Sequence, residues 1–93
     1  MMYYVYSISA KTEKITSKAP FDRKARAVEH LQQLAAVAEA IGQDFVFYDG
    51  INQLLINEPD GDKSIFAIGT KRDMATFSFK YAGLPPKEND FIR

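Results

Sequence analysis

The first residues, Met1-Met2-Tyr3-Tyr4-Val5-Tyr6-Ser7-Ile8-Ser9, are dominated by aromatic and β-branched side chains, which predicts a strand. Polar Ala10-Lys11-Thr12-Glu13-Lys14 turns the chain, and Ile15-Thr16-Ser17 is expected as a short returning strand. From about Phe21 to Ile41 the period changes. Apolar residues fall at Ala27, Val28, Leu31, Leu34, Ala35, Ala38 and Ile41, the spacing of one helical face. The segment is rich in alanine, the strongest helix former. Pro20 suits the first helical position, where its missing N–H is unpaired anyway, and Gly42 supplies a stop. One helix over about 20–41 follows, with Arg26, Glu29, Gln33 and His30 on its polar face.

Four short strand-like runs come next. Asp44 to Tyr48 and Ile51 to Asn57 flank Asp49-Gly50, a two-residue hairpin signal. Ser64 to Gly69 follows the turn Glu58-Pro59-Asp60-Gly61-Asp62, and Thr76 to Tyr81 follows the polar connection Thr70 to Asp73. The expected fold is α+β: one long helix packed on an antiparallel sheet of five or six strands, in the order β(β)αββββ. Residues 1–83 form the single domain. Pro85-Pro86 and the charges around it make 84–93 an extended C-terminal tail.

The hairpin also predicts sides. With Asp49-Gly50 as its loop, Tyr48 pairs with Ile51, Phe47 with Asn52, Val46 with Gln53 and Phe45 with Leu54. One face then carries Phe45, Phe47, Leu54 and Ile56, and the other Val46, Tyr48, Ile51 and Leu55. A single helix covers one face of a sheet, yet both faces here are apolar. The second therefore needs its own cover: the tail, a second copy of the chain, or a partner.

Composition narrows the function classes. Ninety-three residues and 10.5 kDa make one domain with a thin core, burying roughly 60–65% of its unfolded surface. The chain has no cysteine and one histidine, His30, which excludes disulfides, thiolate chemistry and paired-histidine metal sites. No apolar run approaches the about 18–20 residues of a membrane span, and no secretory leader is evident, so a cytoplasmic protein without membrane contact is expected. Glu58, Asp60 and Asp62 alternate in one turn, but a calcium loop needs a longer ligand series, and Pro, Asp and Gly all favour turns on backbone grounds. No glycine-flanked nucleophile and no phosphate-cradling loop occurs. No metal, cofactor or enzymatic activity is expected.

Charge is neutral in sum but uneven along the chain. Residues 11–26 hold Lys11, Lys14, Lys18, Arg23, Lys24 and Arg26 against Glu13 and Asp22, whereas 39–62 hold Glu39, Asp44, Asp49, Glu58, Asp60 and Asp62 with no base. This reads as a bipolar molecule, with Arg23, Lys24 and Arg26 in the first helical turns, where the macrodipole disfavours cations.

The expected function is a small non-enzymatic protein–protein interaction module, an inhibitor or modulator of the kind that viruses direct at host defence complexes. Its protein partner, or a second copy, meets the second sheet face at Tyr48, Ile51, Leu55 and Val46, with Arg23, Lys24 and Arg26 as charged contacts. The alternative is a nucleic-acid-binding domain using the basic 11–26 segment and the sheet aromatics Tyr4, Tyr6, Phe77, Phe79 and Tyr81.

Overall fold

Tyr3–Ser9 forms β1, Ile15–Phe21 β2, Lys24–Ala40 the helix α1, Phe45–Tyr48 β3, Gln53–Asn57 β4, Lys63–Gly69 β5 and Lys71–Thr76 a short helix α2. These elements come from a computed structural model describing residues 2–76. The five strands make one antiparallel sheet in the order β2-β1-β5-β4-β3. The class is α+β, as the hydrophobic pattern predicts. The expected Thr76 to Tyr81 strand begins inside α2, and its residues 77–81 lie outside the described residues, as do 84–93.

β2 is longer than expected and takes Pro20 from the helix. The ladder shows why. Ser9 N–H donates to the Lys14 carbonyl (3.1 Å) and Ala10 N–H to the Lys63 carbonyl (2.8 Å). Odd residues of β1 therefore point their backbone at β2 and even ones at β5. Tyr4 opposes Pro20 and Tyr6 opposes Lys18, so Lys18 and Pro20 turn their backbone to the free edge. Proline fits there because no ladder bond needs its N–H. The register shifts after Ser7, leaving Thr16 as an extra residue. The Ser7 hydroxyl lies 2.7 Å from that of Thr16 and 2.6 Å from that of Ser17, which ties the bulge down.

α1 packs on one face through Ala27, Leu31, Ala35 and Ala38, with Val28 and Leu34 half-buried. The alanines let the helix approach Val5, Leu54 and Ile56, and Tyr3, Phe21, Phe45, Phe47, Phe66 and Ile68 pack around this core. Ile41, expected in that stripe, is 69% exposed. The helix ends one residue before it, where the Gly42 N–H donates to the Glu39 carbonyl (3.1 Å) and the Gln43 N–H to that of Ala38 (2.8 Å). Gly42 takes φ +74° to close this pattern, a conformation that costs a side chain dearly.

The β3–β4 connection corrects the predicted hairpin. The loop is Asp49 to Asn52, a 3₁₀ turn over Asp49–Ile51 with Asn52 left-handed at φ 51°, ψ 56°. Asparagine tolerates that region, so Gly50 does not have to supply it. Phe45 now opposes Ile56, Val46 Leu55, Phe47 Leu54 and Tyr48 Gln53. The slip is two residues, the period of a strand, so each side chain keeps its predicted face. Ile51 leaves the face for the turn.

The second face has a core of its own. Tyr6, Ile8, Leu55, Ile65 and Ala67 are all buried within the single chain. α2 packs here against β1 and β5. Thr70 and Asp73 cap it reciprocally: Thr70 N–H donates to the Asp73 carboxylate (2.8 Å) and Asp73 N–H to the Thr70 hydroxyl (3.3 Å). A Cβ on Gly69 would stand 2.6 Å from the Cβ of Asp73. Gly69→Ala is therefore expected to cost about 1–3 kcal/mol in a denaturant melt, the range for overpacking. No loss would mean that α2 does not seat on Gly69.

Candidate binding surface

The β3–β4 turn and the start of α1 lie at the same end of the sheet. β2 finishes at Phe21, opposite Tyr3, and α1 starts three residues later. Gly69 of β5 opposes Tyr4, and the β4–β5 register carries the turn before Gln53 to that level. Tyr48 and Ile51 thus stand at the same end of the sheet as Arg23, Lys24 and Arg26 but toward its opposite edge, because β2 and β3 are the two outer strands, with Val46 further along β3. Ile51 is 44% exposed; Val46 and Tyr48 are half-buried, and the three cations are exposed. Leu55 does not join them. It is 0% exposed, one strand inward and beneath the second-face core, so the patch predicted around it is a margin along β3 rather than an open sheet face.

The cations are unusually placed. Arg23 is the N-cap of α1 at φ −134°, makes no side-chain cap, and no acid stands in the first turn. Each cation there opposes the helix dipole by roughly 0.3–1 kcal/mol at most. Among the described residues none of the three makes an ion pair. The His30 ring packs on Phe21, centroids 5.1 Å apart and tilted 41°.

The bipolar arrangement is partly undone in space, because the acidic turn docks on the basic one. The Asp62 carboxylate accepts from the Ser9 hydroxyl (2.6 Å), the Lys63 N–H (2.7 Å) and the Lys11 N–H (3.0 Å), while Lys11 Nζ donates to the Asp60 carbonyl (3.3 Å). Asp60 accepts from the Asp62 N–H (2.9 Å), and Glu58 from the Gln43 amide (3.3 Å). All three carboxylates are thereby turn fasteners. Asp44, Asp49 and Glu39 remain exposed.

The Ser9 hydroxyl first, then the Lys63 and Lys11 N–H groups, hold the Asp62 carboxyl below its ordinary 3.8. A depressed carboxyl stabilises the fold above its unfolded pKa, and that contribution is lost as pH falls through the folded value. Asp62→Asn is accordingly expected to be less stable than the parent at neutral pH, with the gap closing below about pH 4. Denaturant melts at the two pH values check this. A gap independent of pH would exclude the charged carboxylate as its source.

Two further features bear on ligand class. Tyr6, offered for base stacking, is 2% exposed, and burial, with a smaller push from Asp73, raises its hydroxyl to about 12. Its ring is core rather than platform; Phe77, Phe79 and Tyr81 lie outside the described residues. Shallow hollows border α2, one lined by Met2, Tyr4, Thr70, Lys71 and Arg72 and another by Ile15, Thr16, Ser17, Lys18 and Met74. Neither places a hydroxyl beside a histidine, the pairing an activated serine or threonine needs. Among the described residues no cluster of three His, Asp or Glu could hold a metal ion, and no helix is long and apolar enough to cross a membrane. Compared with known proteins, the chain matches no family model, no curated protein and no solved structure.

Proposed function

We propose that the chain is a small non-enzymatic protein-binding module, working in the cytoplasm and acting as an inhibitor or modulator by occupying a surface of its partner. The observation that supports this reading is exposed Ile51 beside half-buried Tyr48 at one end of the sheet, with three exposed cations that no described carboxylate pairs at the same end, toward the other edge. A partly exposed tyrosine ring beside an exposed aliphatic side chain suits an interface centre. Exposed cations at the same end of the sheet select an acidic protein surface and speed encounter.

Nucleic acid is the second reading, favoured by the same cations and weakened by the burial of Tyr6. Capture from a native-host lysate, with and without nuclease, separates the two. The comparison variant combines Arg23→Glu, Arg26→Glu and Ile51→Glu, all exposed positions whose replacement typically costs under about 0.5 kcal/mol each. The same protein should be retained in both nuclease arms and lost from the folded variant. Capture that needs intact nucleic acid, and falls steeply with salt, would replace this reading with the second. Equal capture by the variant would remove this end of the molecule from consideration.

A further inference from the structure

We propose that the outer edge of β3 accepts an extended, cation-flanked segment of another protein as a sixth strand. This rests on the protein-binding reading and specifies how the partner is held. The backbone directions carry it. Asn57 N–H donates to the Asp44 carbonyl (2.9 Å), so odd residues of β4 face β3. Val46 and Tyr48 then exchange their bonds with Leu55 and Gln53. Phe45 and Phe47, in the intervening positions, turn N–H and C=O outward, and no hydrogen bond among the described residues uses them. Two donors and two acceptors, spaced by two residues, match one side of an incoming antiparallel strand.

The contrast with the opposite edge is physical. β2 guards its edge with Lys18, Pro20 and the Thr16 bulge, devices that discourage strand addition. β3 has no lysine, proline or bulge. It carries only exposed acids at its two ends, Asp44 and Asp49, within a stretch from 39 to 62 that lacks any base. Those acids choose the occupant. Two copies of β3 related by a two-fold axis would pair Phe45 with Phe47 of the second copy. Asp44 would then oppose the second copy's Tyr48, one residue from its Asp49, so that two carboxylates gather at each end of the junction. Like charges gathered there repel, whereas a strand with lysine or arginine at both ends meets a carboxylate at each.

The probe is the synthetic peptide Lys-Thr-Val-Thr-Val-Lys, added to the full chain and followed by amide hydrogen exchange in NMR spectra. The Phe45 and Phe47 amides should slow several-fold, while Val46 and Tyr48, already in the ladder, change little. N-methylation at alternate peptide residues should abolish the effect. Asp44→Lys with Asp49→Lys, both exposed, should weaken binding several-fold. Protection elsewhere, equal binding by the methylated peptide, or indifference to the two charge reversals would each overturn the proposal. So would Phe45 and Phe47 amides already protected in the chain alone, at a concentration where sedimentation shows a dimer. Loss of lysate capture in the Arg23, Arg26 and Ile51 variant, without peptide protection at β3, would leave the binding module standing and remove the strand acceptor.

Discussion

Leu55→Glu is expected to unfold the isolated chain. Leu55 is 0% exposed, pairs with Val46 on one side and Ile65 on the other, and shares its face with buried Tyr6, Ile8 and Ala67. Removing the side chain alone costs about 2–5 kcal/mol. Placing a carboxyl there without a hydrogen-bond partner adds roughly 2–7 kcal/mol on an apolar reference. Total stability for a chain of this length is about 5–14 kcal/mol, so the sum consumes most or all of it. Circular dichroism and sedimentation of the purified variant check the result. A folded, monomeric Leu55→Glu protein would mean that this side chain is surface, and that the second face is open after all. Leu55→Ala, at the lower cost, keeps the comparison measurable when the glutamate variant cannot be purified.

Leu31→Ala carries the second large expected loss, about 2–5 kcal/mol in a denaturant melt. Leu31 is 0% exposed and sits at the centre of the helix contact with Val5, Leu54 and Ile56. The same truncation at Ile41 tests the facing of α1. Ile41 satisfies the helical spacing in sequence but projects into water beyond the helix end, so Ile41→Ala should cost under about 0.5 kcal/mol. Equal losses at the two positions would mean that the helix is turned about its axis from the facing described.

The Ile41 contrast shows how far the pattern was legible. The fold class, the helix, its glycine stop and the faces of β3 and β4 follow from periodicity, which depends on side chains alone. Boundaries depend on backbone bonding, which periodicity does not report. Pro20 serves a helix start and a free strand edge equally well, and only the pairing of Tyr4 and Tyr6 with β2 decides between them. Asp49-Gly50 is a good tight turn, yet Asn52 supplies the left-handed residue for a longer one. The two-residue slip moved Ile51 into solvent without disturbing the face assignment. α2 was missed because Lys71-Arg72-Asp73 carries no apolar stripe; Thr70 followed by Asp73 was the available capping signal.

The candidate surface was legible residue by residue but not as a place. Arg23, Lys24 and Arg26 stand out by opposing the helix dipole, and Tyr48 and Ile51 by their neighbours along the strand. That they share one end follows from the strand order, which no local pattern encodes. The edge backbone groups of Phe45 and Phe47 have no sequence signature at all, since every residue owns an N–H and a carbonyl.

The strand order has a consequence for how the chain reaches this state. β1 is made first, and one neighbour, β2, follows it at once, but its other neighbour is β5, with Val5 opposite Ile68. Closing that pair spans most of the described chain, and folding slows as contacts grow more distant in sequence. On the ribosome the β1–β2 ribbon and the β3–β4 hairpin can form as separate local units, while β1 waits with one side unpaired until β5 emerges to join them. Ile8 and Ile65, which oppose each other across that last seam, are therefore the positions where a shortened side chain reports whether the seam is already closed in the rate-limiting step.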